Sequence, residues 1–332
     1  MDAFAQQVND TRYHNQATGH YESFFLRANH PTRPLAFWIR YTIFSPKNRN
    51  QDALGELWAI YFNGESNNHV TVKQEVPFRH CTFSSTAFFV EINKAQLKPG
   101  ELHGVVSAKD RSFAWDLTFD ANAKPLLLLP FNLYKTKLPS AKSLVSAPMA
   151  TFNGSLTVNG ETVEVVDWVG SQNHNWGSKH TDLYAWGQVA GFDSHPQTFL
   201  EVATARLKIG PLWTPYMTLA VLRHDGQEFA LNSLLQSLRA KGSFEYFSWN
   251  FKSETKEIGL AGSISAPSKA FVGLNYYNPP GGNKYCLNTK IASCQLILKD
   301  KRTGKQEILV TNSRAAFEIL TDDRDHGIVM QA

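Results

Sequence analysis

Residues 170–187, GSQNHNWGSKHTDLYAWG, carry two His, two Trp, a Tyr, an Asp, two Asn and a Gln within eighteen positions. An imidazole moves protons, a carboxyl delivers one, and indole and phenol faces stabilise positive charge. His174 and Trp176 are two residues apart, so on a strand they share a face and could line one wall of a cavity. Tyr184 and Trp186 repeat that spacing, and Asn173 adds an amide able to orient a ligand. The bland alternative is that Trp176 anchors a core and His174 bonds backbone at a barrel corner.

Two carboxyls are candidate acids beside this stretch. Glu201 lies in FLEVATARL, where Glu201, Ala203 and Ala205 share one face and Leu200, Val202 and Thr204 the other. A carboxyl flanked by small residues either sits in a pocket walled from elsewhere or is a surface position. Asp182 is the rival, closer in sequence to the motif. A carboxylic acid in an apolar pocket keeps its proton near neutral pH because desolvation disfavours the charged form. With His174, these two make up the candidate catalytic set. Trp176, Tyr184, Trp186 and Asn173 are candidate substrate contacts.

A second polar group precedes them: Tyr13-His14-Asn15-Gln16 and His20-Tyr21-Glu22. Glu22, between aromatic residues on a partly buried strand, must pair with a base or stay protonated for a purpose. Arg27 and Arg40 are the expected partners, and Tyr21 and Glu22 join the candidate ligand contacts. No HxH or HExxH spacing supports a metal site, Ser171 lacks the GxSxG elbow, and PPGGNKYCLNTK lacks P-loop spacing. Cys286 is a reactive or a buried inert thiol. No cofactor and no metal are expected.

What positions these residues reads as β almost throughout. Aromatic and β-branched runs such as LAFWIRYTIF, ELWAIYF, FAWDLTF and QTFLEVATARL alternate with turns, among them Asn159-Gly160, Asp225-Gly226 and Thr303-Gly304. LNSLLQSLRAKG, 231–242, is a short helix ending at Gly242 or a loop. Sixteen to eighteen strands suit two barrels of about eight better than one large one. Segment 125–150 is either an interdomain linker or a connection inside the first barrel.

At 332 residues, with 42% hydrophobic and 12% aromatic content, the chain can build two sizeable cores. The net charge of +4 is scattered, which argues against nucleic-acid binding. Three Cys without CxxC spacing argue for a reducing compartment. With no signal-like N-terminus or long apolar run, a soluble cytoplasmic protein without stable membrane insertion is expected.

The order of motifs carries a resemblance. Tyr21-Glu22-Ser23-Phe24-Phe25 opens a strand, and Gly154-Ser155-Leu156-Thr157-Val158-Asn159-Gly160 forms a GxLxVxG hairpin leading to a Trp-Val-Gly step. His174-Asn175-Trp176-Gly177 and Tyr184-Ala185-Trp186 follow. This order resembles the AttH/carotenoid 1,2-hydratase (hydroxyneurosporene synthase) superfamily, a lipocalin-related group that includes tocopherol-cyclase-like proteins and some Diels–Alderases. The resemblance implies an all-β tandem of two calycin-like antiparallel barrels, 1–180 and 181–332, with a ligand site near their interface. It also implies cofactor-independent hydratase, cyclase or isomerase chemistry on an isoprenoid or polyene-like substrate. A non-catalytic lipocalin-like carrier and an interaction scaffold with filled barrels are the competing functions. The sequence leaves the oligomeric state open.

Overall fold

The computed structural model describes residues 7–84, 86–120 and 123–332. It is nearly all β: a nearly closed antiparallel barrel followed by a second large antiparallel sheet, in the lipocalin-like tandem arrangement. The first sheet runs, by hydrogen-bonded neighbours, Val70–Pro77, Leu54–Asn63, Leu35–Ser45, His20–Asn29, Glu161–Gly177, Ala141–Val158 and Arg111–Asp120, then through shorter strands to Cys81–Phe83. The second runs Gln227–Leu231, Met217–His224, Phe199–Arg206, Leu183–Ala190, Gln306–Thr321, Asn283–Asp300 and Ile258–Ser265, then two more strands. Both follow one plan: the strand that opens each sheet pairs with the strand that closes it, and the closing strand is half of a long hairpin.

The turns obey local chemistry. Asn159 and Gly160 have φ of 50° and 87°, and Asp225 and Gly226 of 48° and 72°, the doubly positive pattern that twist-matched two-residue hairpins require. The one α-helix among the described residues, Leu234–Arg239, is capped by the Ser233 side chain accepting from the Gln236 N–H. Segment 125–150 belongs to the first sheet, pairing Leu126–Leu127 with the start of Ala141–Val158, so the linker alternative is excluded. Among the described residues no helix is long and apolar enough to cross a membrane.

Four apolar clusters lie among the described residues, the smallest joining Leu126 and Val145 of the first sheet to Ala190, Phe199 and Val221 of the second. One fills the first barrel with Phe24, Phe37, Phe113, Phe152 and Trp168. Another is built on the second sheet from Leu200, Trp249, Phe251 and Phe317. The third lies between the two sheets and contains Phe25, Trp38, Trp58, Trp186 and Tyr276. Adjacent Phe24 and Phe25 belong to different clusters, because successive strand side chains point to opposite faces. The strand His20–Asn29 is buried along its whole length, and so are its charged residues Glu22 and Arg27.

Candidate functional site

The closing strand Glu161–Gly177 lies between His20–Asn29 and Ala141–Val158, with His174 opposite Phe24 and Asn173 opposite Phe25. Gly170 is required there, since a Cβ would collide with the Arg27 carbonyl of the neighbouring strand. The strand's two faces hold two different polar assemblies.

On the face shared with Phe24, Glu22 is the hub. Its Oε1 meets His174 Nε2 at 2.8 Å and its Oε2 meets His20 Nε2 at 3.0 Å. The Arg12 backbone N–H donates to both oxygens at 2.8 and 2.9 Å, and the Thr11 hydroxyl donates at 3.2 Å. His174 Nδ1 lies 2.6 Å from the Val8 carbonyl oxygen. Both ring nitrogens therefore face acceptors, which fixes the orientation of the ring. Burial alone would raise the Glu22 carboxyl, but hydrogen bonds from His174 and His20, reinforced by their charge, bring it down to about 2. The ring of His174 stacks on Phe24 at 4.2 Å and tilts against Trp176 at 4.6 Å, with the Arg12 guanidinium 5.3 Å above Trp176. This is an internal brace closed over by residues 8–16.

The expected pairing of Glu22 with Arg27 or Arg40 is corrected by this geometry. Arg27 is an odd-numbered position on the same strand and so points to the other face. Arg40 stands opposite Phe25 and follows it to that face as well.

On that other face a second network links the two sheets around the Gln188 side-chain amide. Its Nε2 donates to Glu201 Oε2 and to Asn173 Oδ1, both at 2.8 Å. Its Oε1 accepts from Arg27 Nε and from the Ser171 hydroxyl, both at 2.7 Å. All four hydrogen-bonding positions of one amide are used, which fixes its orientation. Arg27 continues through Asn29 at 2.7 Å, and Asn29 donates to the Lys290 carbonyl at 2.7 Å. Glu201 Oε1 accepts from Trp186 Nε1 at 2.7 Å. No cation touches this carboxyl among the described residues. Burial raises it, the bonds from Trp186 and Gln188 and the more remote Arg27 offset only part of that, and it reaches about 7. Burial also pulls Arg27 down to about 9.

Beside Trp186 lies a buried ion pair. Lys290 Nζ sits 2.7 Å from Glu318 Oε1 and 2.6 Å from Asn288 Oδ1, and lies 5.3 Å above Trp186 and 5.7 Å above Trp38. Desolvation pulls Lys290 below the usual lysine range. Cys286 is wholly buried, and burial pushes its thiol well up, which fits an inert thiol.

The predicted residues thus divide. Glu201, Trp186 and Asn173 meet through Gln188, and half-buried Tyr184 packs against the same inter-sheet cluster as Trp186. His174, Trp176 and Glu22 share the opposite face, so His174 and Glu201 do not line a common wall. Tyr21 is buried and stacks on His180, centroids 3.9 Å apart. Asp182 Oδ1 pairs with Lys179 at 2.6 Å and its Oδ2 accepts the Lys208 N–H at 2.9 Å, sharing no partner with Glu201. Two solvent-open depressions of about 640 and 550 Å³, beside Asn48 and Asn153 respectively, are lined by none of these residues.

Sequence reasoning passed over Gln188, Ser171, Arg27's bridging role and the Lys290–Glu318 pair. One signal was present. Gln188 stands two residues beyond Trp186, hence on its face, and opposite Glu201 in the hairpin pairing of Leu183–Ala190 with Phe199–Arg206.

Comparison with known proteins gives the fold wide support. No family model matches the sequence. Two Mycobacterium tuberculosis proteins, Rv0493c of strain H37Rv and MT0513 of strain CDC 1551, both named as uncharacterized, are 26% identical over 298 residues, 88% of this chain and 87% of theirs. Among solved structures, an AttH candidate from Nitrosomonas europaea superposes with a TM-score of 0.59 at 12% identity, covering 91% of both chains. Kievitone hydratase from Nectria haematococca gives 0.58 at 12% identity, covering 96% of this chain and 92% of its own. CghA in complex with Sch210972 gives 0.53 at 10% identity, covering 92% and 89%. These solved structures share the overall fold of this chain.

Proposed function

We propose that the protein is a cofactor-independent enzyme of the hydratase, cyclase or isomerase type acting on a hydrophobic, isoprenoid or polyene-like small molecule. Residues 1–180 and 181–332 act as its two domains, and the tract between them around Glu201 is its site. The observation that carries this reading is Glu201 itself: a buried carboxyl, raised to about 7, hydrogen-bonded to an indole and an amide with no cation in contact. Such a group holds a proton at neutral pH and can deliver it to an alkene carbon. The faces of Trp186 and Tyr184 stabilise the resulting carbocation, which water or an internal nucleophile then captures. His174 serves as a positioning residue that fixes the closing strand, and Asp182, engaged by Lys179, is the weaker candidate acid. The hydratase among the structural neighbours supports this class of reaction.

A second reading, a non-catalytic carrier, draws on the saturated hydrogen bonding of Gln188, which suits a rigid wall. Incubation with a panel of polyenes and prenylated aromatics, followed by mass spectrometry, separates the two. Gain of one water or an isobaric cyclised product, lost in Glu201→Gln, supports the enzyme. Tight binding without any product supports the carrier.

A further inference from the structure

Arg40 is the most unusual side chain that this chemistry leaves unused. It is 4% exposed, yet it makes no hydrogen bond and no ion pair with any described residue. Its guanidinium lies 4.3 Å over the Tyr276 ring and 5.8 Å from that of Trp38. The two nearest buried carboxylates are already taken, Glu56 by Lys73 at 2.7 Å and Glu318 by Lys290 at 2.7 Å. The charges of nearby Glu56 and Glu318 favour the cation but accept no hydrogen bond from it, and a buried guanidinium fork without an acceptor is costly, so it calls for one.

Arg40 is not alone. The Trp38 and Trp58 indole N–H groups also lack an acceptor, and the Thr42 and Thr71 hydroxyls lack any partner. Among the described residues, every buried side-chain N–H without an acceptor belongs to Trp38, Arg40 or Trp58. The register puts all of them on one face: Arg40 opposite Trp58, Trp38 opposite Ile60, Ile60 opposite Thr71. That face is the first sheet's side of the inter-sheet cluster, with Phe25, Ile60 and Leu274 as apolar neighbours. It is continuous with the Glu201 site, since Phe25 lies 6.2 Å from Trp38 and 6.1 Å from Trp186.

We propose that Arg40, with the Trp38 and Trp58 N–H groups, binds the carboxylate of an amphiphilic ligand whose apolar body runs along Phe25 toward Trp186. A planar guanidinium fork matches a carboxylate, and indole N–H groups supply the further donors that a desolvated carboxylate needs. A monoanion fits better than a phosphate dianion, because Glu56 and Glu318 flank Arg40 and repel a second negative charge. The proposal rests on the inter-sheet tract being the ligand site and adds the substrate class.

The test is binding of sodium octanoate, dodecanoate and hexadecanoate against their methyl esters, followed by tryptophan fluorescence on the full chain. The expected result is at least ten-fold tighter binding of the acids, a preference abolished in Arg40→Met and reduced in Trp38→Phe. Because an unsatisfied buried donor is removed, the Tm of Arg40→Met should hold or rise. Equal affinity for acid and ester overturns the proposal, as does absence of acid binding, a preference retained in Arg40→Met, or tighter binding of dodecyl phosphate. A lowered Tm in Arg40→Met also overturns it, because Arg40 is then a structural brace. Turnover of neutral polyenes without acid preference refutes the carboxylate site and leaves the catalytic reading standing. Acid-selective binding without turnover does the reverse.

Discussion

Glu22 and Glu201 are both buried glutamates, yet their carboxyls are shifted in opposite directions. Glu22 receives two imidazole N–H groups, a backbone N–H and a hydroxyl, and is drawn down to about 2. Glu201 receives one indole and one amide N–H and is raised to about 7. Desolvation is the leading influence in both, so the donors decide the outcome. The fuller set around Glu22 outweighs its burial, whereas the two N–H groups on Glu201 offset its burial only in part. One face of the first sheet thus carries a glutamate with a lowered pKa, while its other face packs against a glutamate of the second sheet whose pKa is raised.

The largest expected effect falls on the structural side. Glu22→Gln removes the buried carboxylate that His174 and His20 both bond and should cost about 3–5 kcal/mol of stability, read from urea midpoints at pH 7. A change below about 1 kcal/mol would mean the brace carries little weight. The pH dependence has a definite sign. The Glu22 pKa is lowered on folding, so its stabilisation is present above about 4.5 and is lost as pH falls toward about 2.

Glu201 should behave inversely. Its pKa is raised on folding, so the wild type is relatively most stable below about 4.5 and loses stability as pH rises through about 7. Against Glu201→Gln as reference, the loss should be on the order of 3 kcal/mol by pH 8, with the variant the more stable protein there. A stability gap that stays flat from pH 4 to 8 would refute the raised carboxyl.

The network around Gln188 is a smaller matter. Gln188→Leu strands Arg27, Asn173 and Glu201, and should cost about 1–3 kcal/mol while shifting the pH profile of Glu201. A shift without destabilisation would show that water replaces the amide. The smallest effect is expected outside both assemblies. Arg33 and Glu65 form a bidentate pair at 2.6 and 2.8 Å, but their side chains are 54% and 43% exposed. Arg33→Gln should leave the urea midpoint essentially unchanged.

Much of the framework was legible because it is local. The Asn159-Gly160 and Asp225-Gly226 turns announce themselves through residues that tolerate positive φ, and the His174/Trp176 spacing correctly placed two rings on one face. Two-residue alternation also separates Glu22 from Arg27, so that mispairing was avoidable from sequence. Arg40 required the register of a neighbouring strand, which no local pattern fixes. The links from Arg27 to Gln188 and from Asn29 to Lys290 join residues 161 and 261 positions apart, and only the packing of one sheet on the other brings them together.

The central claim is that Glu201 holds its proton near neutral pH while Glu22 does not. Infrared difference spectroscopy of the wild type against Glu201→Gln, titrated from pH 4 to 9, reads this directly. The account predicts a protonated-carboxyl band, absent in the variant, that disappears with a midpoint near 7. A midpoint in the ordinary carboxylate range, or no such band at pH 6, would contradict it.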